Sequence, residues 1–201
     1  NYITSIGGKP VLTKDTHERA TDRTGEAFEK IMEITGNDFD GVLMIQGDEP
    51  LLNPALLDDM ISFHINQISP YITNLISEIH DFDEFNNPNI VKVVKDKSDN
   101  ILYMSRSPIP SNAKYDGKLP MWKQLGLILF CRDALKTYTE LPSTELEIIE
   151  SVDMNRILEN DLKIIAIVFL MIFISGLFIG WVSTYFAVRK YIKLNEWELY
   201  N

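Results

Sequence analysis

The sequence predicts an α/β layered domain, because short apolar segments of strand character alternate with amphipathic segments of helix character over residues 1–162. Val42–Ile45 is apolar without interruption, as in a strand that is buried on both faces of a parallel sheet. Gly47 and Asp48 follow it directly, and the ligands of open α/β sheets bind beyond the carboxyl ends of the strands. We therefore expect a ligand site where this strand ends.

The first half of the chain is predicted to contain alternating strands and helices. In order they are a strand, a helix, a strand, a helix and a strand, at about residues 10–13, 22–35, 42–45, 54–67 and 71–79. The first helix is expected to end at Gly36, because glycine readily adopts the left-handed conformation that closes a helix. Asn53 is expected to cap the second helix, since Pro54 suits its first position.

The second half is predicted to begin with two strands joined by a turn. These strands are expected at about residues 90–94 and 100–105. A long loop (107–118), a central strand (121–130) and two helices (132–141 and 145–159) follow. The long loop contains Pro108, Pro110 and Gly117, which suits a flap over a site. Pro142 separates the two helices.

The charge balance restricts the classes of partner. The chain carries 19 Lys and Arg against 29 Asp and Glu, which gives a net charge of −10. A broad nucleic-acid surface needs a basic face, so we expect no nucleic-acid partner, whereas a small anionic ligand held by a few local donors stays compatible. Cys131 is the only cysteine, so no internal disulfide can form and a reducing compartment is compatible.

Residues 164–188 contain no charged side chain and exceed the roughly 20 residues that a membrane-spanning helix needs. We therefore predict a transmembrane helix there, within a second domain at residues 163–201. Arg189, Lys190 and Lys193 follow it and weakly favour a cytoplasmic C-terminus. Two alternatives are a buried core strand and helix, and a foreign segment joined near residue 163 by a frameshift or gene fusion.

Four sequence stretches occur in a fixed order, and the ordered set indicates a protein family more specifically than any single stretch does. They are Val11–Thr13 with Thr21-Asp22-Arg23; Gln46-Gly47-Asp48-Glu49-Pro50; Asn87–Val94 with Leu102–Arg106 and Pro108–Pro110; and Leu125-Gly126-Leu127 with Leu146-Glu147 and Glu150. Together they resemble the 3-deoxy-manno-octulosonate cytidylyltransferases, or CMP-Kdo synthetases, from about residue 7 to residue 163.

The resemblance implies a truncated Rossmann-like nucleotidyltransferase fold and a transfer of CMP from CTP to the acidic sugar Kdo. The implied products are pyrophosphate and CMP-Kdo, which is used in lipopolysaccharide synthesis. Mg²⁺ is the implied cofactor, because it bridges phosphate oxygens. The catalytic domain is then expected in the cytoplasm, with an anchor in the inner membrane if the apolar segment is native, and a homodimer is expected because relatives form dimers.

The resemblance also implies roles for individual side chains. Asp48 is the implied Mg²⁺ ligand, and Arg106 is implied to act in catalysis with it by pairing with the sugar carboxylate or a phosphate. The other implied contacts are Thr21 and Arg23 with the nucleotide, and Gln46, Glu147 and Glu150 with the sugar. From the residues alone, the two arginines could instead make structural ion pairs, and the two glutamates could form a solvated helix face.

The sequence departs from the family pattern in three places. We expect the Leu-Pro-x-Lys-type loop that usually holds the triphosphate to be missing before Asn1, and the apolar segment replaces a Val-Asp-Thr-x-Glu-Asp-like segment that brings a second carboxylate to the metal. Gln124–Ile128 replaces the usual His-Leu-Gly-Ile-Tyr, which removes sugar contacts. Two alternatives are therefore a cytidylyltransferase for another acidic sugar and a membrane-tethered, non-catalytic module that binds a sugar or nucleotide.

We expect this 201-residue chain to be inactive. Without the triphosphate loop, CTP loses roughly three charge-assisted hydrogen bonds of about 1.5–3 kcal/mol each, and about 1.4 kcal/mol corresponds to a tenfold change in affinity. A pyrophosphate-release assay with CTP and Kdo checks this expectation, and turnover by the chain as it stands would contradict it.

Overall fold

The computed structural model describes residues 2–49, 52–66, 72–160 and 164–168. Within them lie the helices α1 (Tyr2–Ser5), α2 (Ala20–Thr35), α3 (Pro54–Asn66), α4 (Phe82–Asn86), α5 (Arg132–Glu140), α6 (Glu145–Glu150) and α7 (Met154–Glu159). The strands are β1 (Gly41–Ile45), β2 (Ile72–Glu78), β3 (Lys92–Lys95), β4 (Ile101–Ser105), β5 (Trp122–Cys131) and β6 (Ile164–Val168). Contacts divide the chain into two compact units, Asn1–Ile167 and Val168–Asn201, and the described residues other than Val168 belong to the first.

The strands form one mixed sheet in the order β4-β3-β5-β2-β6, with β1 also paired to β5. β5 is the central strand, as predicted, and it runs antiparallel to β1, β2 and β3. The expectation that β1 lies in a parallel sheet and is buried on both faces is wrong. Its described pairing is with β5 alone, and of its residues only Met44 is buried. The short strand expected at residues 10–13 is also wrong, since these residues form neither strand nor helix.

Two strands meet end to end along one edge of β5, at residues 124–126. β1 pairs with residues 127–131 and β3 with residues 122–123, and both run antiparallel to β5. The carboxyl end of β1 therefore meets the amino end of β3 at this point. Just past the end of β1, Gln46 N donates to the carbonyl oxygen of Gly126 at 2.9 Å. The C-terminal end of β1, the N-terminal end of β3 and residues 124–126 of β5 therefore lie close together.

Local signals in the sequence set several helix ends. α2 ends at Gly36, whose φ of 65° is left-handed, as predicted. At the start of α3, Asn53 Oδ1 accepts a hydrogen bond from Ala55 N at 3.1 Å, which confirms the expected cap. The single helix expected at residues 145–159 is instead the pair α6 and α7. The chain breaks at Ser151, whose φ of 52° is left-handed and cannot continue a right-handed helix.

The predicted transmembrane helix at residues 164–188 is wrong where the structure describes it. Residues 164–168 form β6, which lies next to β2 in the sheet. No helix within the described ranges is long and apolar enough to cross a membrane. The sequence of β6, Ile-Ile-Ala-Ile-Val, is as apolar as a membrane segment, but its β-branched residues favour a strand. Residues 169–188 lie outside the described residues.

A buried ionic network joins α2, α6 and α7. Arg156 on α7 donates to the carboxylate of Glu147 on α6, from Nε at 2.8 Å and from Nη2 at 2.6 Å, and its Nη1 donates to Asp22 on α2 at 3.0 Å. Arg156 is 4% exposed and Glu147 is fully buried, and the guanidinium lies 4.2 Å from the ring centre of Tyr138. Buried charges persist only when they are paired and hydrogen-bonded, so this network fixes α6 and α7 against α2.

Arg156→Met is expected to lower the free energy of unfolding by about 3–5 kcal/mol, because it leaves the Glu147 carboxylate buried without its partner. Urea denaturation followed by circular dichroism measures this change. The double variant Arg156→Met/Glu147→Met should recover much of the loss, since it also removes the unpaired charge. A double variant as unstable as the sum of the two single variants would contradict the role of the pair.

Candidate functional site

Two neighbouring cavities share one side chain, Gln46. The large cavity, of about 540 Å³, is lined by Val11, Thr13, Ala20, Arg23, Thr24, Ala27, Met44, Ile45, Gln46 and Gly47. The small cavity, of about 110 Å³, is lined by Gln46, Val91, Arg106, Gln124, Ile128, Ser151, Val152, Asp153 and Met154. The predicted site residues Arg23 and Arg106 therefore lie in different cavities, with Gln46 between them.

Gln46 is held at the strand junction by Gly126 on β5. Gln46 N donates to the carbonyl oxygen of Gly126 at 2.9 Å. A Cβ atom at position 126 would lie 2.8 Å from Gln46 Cβ and 2.9 Å from Gln46 Oε1, which is closer than side chains pack. Only glycine permits this approach. Two of the sequence stretches that carry the family resemblance are therefore direct neighbours in the fold.

Two carboxylates follow Gln46 in the turn after β1, and they differ in their contacts. Glu49 Oε1 accepts a hydrogen bond from Gly126 N at 3.1 Å, so this side chain fastens the turn to β5. Asp48 is exposed and makes no hydrogen bond or ion pair with another described residue. No group of three or more His, Cys, Asp or Glu side chains in the described ranges is arranged to hold a metal ion. A single free carboxylate suits Mg²⁺, which takes its other ligands from phosphates and water.

The guanidinium groups of Arg23 and Arg106 donate to neutral oxygens. Arg23 donates to Thr13 Oγ1 at 2.7 Å and to the Lys14 carbonyl oxygen at 3.1 Å. Arg106 donates at 3.2, 2.8 and 3.1 Å to the carbonyl oxygens of Pro88, Glu150 and Ser151, respectively. These bonds fix the position of each guanidinium without neutralising its charge.

The other arginines that the structure describes are paired with carboxylates. Arg19 lies 3.5 Å from Glu147, Arg132 lies 2.5 Å from Asp38, and Arg156 holds two carboxylates as described above. Among the described residues, the two arginines whose guanidinium groups lack a carboxylate within 4.0 Å are those that line the two cavities. Each cavity therefore presents a guanidinium to an incoming anion, and the lining of the small cavity also contains the carboxylate of Asp153.

A buried lysine supports the wall that carries Arg106. Lys92 on β3 is fully buried, and its ammonium group donates to the carbonyl oxygens of Asn87, Ile90 and Arg106. Burial lowers the pKa of Lys92, and the nearby charge of Arg106 lowers it further. With all three of its donors used, Lys92 holds the backbone around Arg106 and is not available to a ligand.

The remaining predicted contact residues use their polar atoms within the protein. Thr21 is buried and its Oγ1 donates to Asp153 at 2.9 Å, and Glu147 is paired with Arg156. Glu150 accepts hydrogen bonds of 2.8 Å from Tyr103 Oη, Ser105 Oγ and Arg106 N. Although burial acts to raise it, the pKa of Glu150 is held below its ordinary value by these hydrogen bonds. The ligand contacts of Thr21, Glu147 and Glu150 stay predictions.

Sequence reasoning missed Asp153, which lines the small cavity together with Arg106. The pattern of residues 145–159 predicts one helix through Asp153, whereas the left-handed Ser151 ends α6 and lets the chain turn into the cavity wall. Ser and Asp immediately ahead of an apolar helical segment are typical of a helix start. That signal would have indicated the break between α6 and α7.

Two side chains of α2 hold the preceding segment against the helix. Lys30 Nζ donates to the carbonyl oxygen of Leu12 at 2.8 Å and lies 2.6 Å from Glu26. Glu26 also accepts hydrogen bonds from His17 and, at 3.1 Å, from Lys14 N. The hydrogen bond from Lys30 and then that from His17 lower the pKa of Glu26 to about 2. This clamp holds one wall of the large cavity in place.

A family model described as cytidylyltransferase matches residues 1–164. The chain belongs to the cytidylyltransferase family. Among its relatives are the 3-deoxy-manno-octulosonate cytidylyltransferases of Geobacter metallireducens, Thermodesulfovibrio yellowstonii and Chloroherpeton thalassium, which are 35%, 38% and 40% identical to it. The matches cover 80–81% of this chain and 63–66% of the relatives, so the chain spans slightly less than two thirds of their length.

The fold of this chain is similar to that of a solved structure, CMP:2-keto-3-deoxy-manno-octonic acid synthetase in complex with CTP. The match has a TM-score of 0.73 at 29% sequence identity, and it covers 83% of this chain and 66% of the other. The resemblance inferred from the four ordered stretches of sequence is therefore confirmed by independent comparisons of sequence and of structure.

Glu26→Gln is expected to destabilise the protein in a pH-dependent way. Because the pKa of Glu26 is lowered from its ordinary value of 4.5 to about 2, its stabilising contribution is complete above about pH 4.5 and is lost as the pH falls towards 2. Urea denaturation of both proteins over this pH range measures the difference in unfolding free energy. Glu29→Gln, at an exposed position of the same helix, is the control and should show no such trend. A difference that grows towards acid pH would contradict the clamp.

Proposed function

We propose that this protein transfers CMP from CTP to Kdo, forming CMP-Kdo and pyrophosphate. The observation that carries the proposal is the pair of cavities that share Gln46, each lined by an arginine whose guanidinium has no described carboxylate within 4.0 Å. Asp48, which has no partner among the described residues, lies in the turn beside them. The relatives above are named for this reaction, and the similar solved structure holds CTP, which supports the same chemistry. Since CTP is a cytoplasmic metabolite, the proposed place of the reaction is the cytoplasm.

The large cavity is proposed to hold CTP. Its volume of about 540 Å³ falls in the range of about 300–1,000 Å³ that is typical of small-molecule sites. The apolar side chains of Val11, Ala27 and Met44 offer surface to the cytosine and ribose, and Arg23 offers a positive charge beside the nucleotide. Thr21, two residues before Arg23 on α2, is proposed to support this wall through its hydrogen bond to Asp153.

The small cavity is proposed to hold the acidic end of the sugar. At about 110 Å³ it has room for part of Kdo, and Arg106 supplies the charge that a carboxylate needs. Glu150 is proposed to position Arg106 by accepting from its backbone N–H, and Glu147 to fix α6 through Arg156. These two glutamates thus serve the sugar site indirectly.

The reaction needs positioning more than covalent catalysis. The anomeric hydroxyl of Kdo attacks the α-phosphorus of CTP, the bond to the β-phosphate breaks, and pyrophosphate leaves. Gln46 borders both cavities, so its amide is proposed to orient the sugar hydroxyl towards the nucleotide. Asp48 is proposed to hold Mg²⁺ in the adjoining turn. When bound, Mg²⁺ supplies positive charge to the phosphate oxygens.

Asp48→Asn is expected to lower kcat by about 10²–10³-fold, the usual cost of removing one group that stabilises transition-state charge. Because the match covers 63% of the Chloroherpeton thalassium relative, pyrophosphate release is measured on a fusion that adds the N-terminal residues of that relative to this chain. CTP, Kdo and Mg²⁺ are the substrates and cofactor of the assay.

Glu49→Gln, at the next residue, is the matched control. The glutamine keeps an oxygen that accepts the hydrogen bond from Gly126 N, so this variant should retain activity. Equal losses in the two variants would count against a specific role for Asp48. A folded fusion that binds CTP but releases no pyrophosphate with Kdo would count against the proposed reaction. Turnover with a different acidic sugar instead of Kdo would support the alternative, a cytidylyltransferase for that sugar.

A further inference from the structure

The register between β2 and β5 slips beside the small cavity. Asn74 on β2 lies opposite Ile128, but Ile76, two residues later, lies opposite Gln124, four residues earlier on β5. Residues 125–127 of β5 therefore form a bulge that a regular ladder with β2 cannot pair. The bulge contains Gly126, the residue against which Gln46 packs.

Asn74 satisfies the backbone of the bulge. Its side chain is fully buried, and its Nδ2 lies 3.1 Å from each of three carbonyl oxygens, those of Leu75, Leu125 and Leu127. A carbonyl oxygen only accepts hydrogen bonds, so the amide atom that faces these three must be the NH₂ group. The orientation of the Asn74 amide is therefore set by the backbone.

The orientation of Asn74 sets that of Gln124. Asn74 Oδ1 lies 2.7 Å from Gln124 Nε2, and since Oδ1 only accepts, Gln124 must present its own NH₂ group there. Gln124 Oε1 is then left at the other end of the amide, and it accepts no hydrogen bond from a described residue. Gln124 is one of the residues that line the small cavity.

We propose that Asn74 is a positioning residue that fixes Gln124 with its acceptor Oε1 towards the small cavity, where it accepts a hydrogen bond from a hydroxyl group of the sugar. The proposal rests on the proposed function for the identity of the sugar. An acceptor at this position attracts a hydroxyl group and repels a carboxylate, whereas Arg106 attracts the carboxylate. The cavity therefore has a polarity that selects which way round an acidic sugar enters.

The arrangement also accounts for a departure from the family pattern. The resemblance described above implies histidine at position 124, and the ring nitrogens of histidine can exchange donor and acceptor roles as the tautomer changes. Glutamine alone would turn its amide freely. A buried neighbour whose own orientation is fixed by carbonyl oxygens removes that freedom, so Asn74 and Gln124 act as one unit.

The test titrates this chain with Kdo in buffer free of divalent metal, with and without CTP, and follows the side-chain amide resonances of Gln124 by NMR. These resonances are assigned by their loss in Gln124→Met. Asn74→Ser, which is too short to reach Gln124 but keeps a donor for one carbonyl oxygen, is expected to shift the Gln124 amide resonances and to weaken Kdo binding by about three- to tenfold.

A double-mutant cycle separates positioning from a general structural effect. If Asn74 acts through Gln124, Asn74→Ser has no further effect on Kdo affinity in a Gln124→Met background; additive losses would overturn the proposal. Asn155→Ser is the matched control, because Asn155 is also fully buried and donates to a strand carbonyl, that of Met104, without contacting Gln124. It should lower stability and leave Kdo affinity unchanged.

Two further results distinguish failures of the two proposals. Gln124→Met removes the cavity acceptor while Asn74 stays intact, so unchanged Kdo affinity in this variant would overturn the positioning role even if Asn74→Ser fails to fold. A wild-type chain that shows no shift of any resonance with Kdo, with or without CTP, would overturn the proposed function instead, and with it the sugar as the partner of Gln124.

Discussion

The antiparallel pairing of one edge of β5 with two successive strands is the constraint on which the site depends. β1 and β3 share that edge, so the end of one and the start of the other must meet near Gly126. Because Gly126 has no side chain, Gln46 packs directly against β5 and stands at the boundary of both cavities. The turn that carries Asp48 is then delivered to the same place by chain connectivity alone.

Buried polar contacts, and not apolar packing alone, hold the wall of the small cavity that is formed between α6 and α7. The segment between α6 and α7 contributes Ser151 and Asp153 to that wall, and its backbone is left-handed at Ser151. Such a bend persists because both flanking helices are fixed, α7 through Arg156 to α2 and α6 through Glu150 to β4. Through these contacts the ionic groups determine where the cavity wall lies.

Sequence reasoning succeeded where the signal is local and failed where several strands had to be considered together. The stop at Gly36 and the loop around Asp48 follow from backbone preferences that hold in any context. The position of Asn74 in the site could not be predicted, since its role comes from a register slip between two strands far apart in sequence. Hydropathy likewise could not distinguish β6 from a membrane segment. An apolar sequence suits both the lipid bilayer and the interior of a sheet, and the pairing of β6 with β2 is not visible in its composition.

An acidic protein that binds anions has to keep its positive charges away from its own carboxylates. The net charge is −10, and three of the five arginines that the structure describes are paired with carboxylates. The guanidinium of Arg156, for example, is matched by Glu147 and Asp22. At an effective dielectric constant of about 20, a carboxylate 4 Å away interacts with a cation by about 4 kcal/mol, comparable to the attraction that a phosphate would gain. Arg23 and Arg106 are anchored by carbonyl and hydroxyl oxygens instead, which hold the groups in place and leave the attraction for a ligand. The chemistry of their anchors therefore separates the arginines that line the two cavities from those paired with carboxylates more directly than their positions in the sequence do.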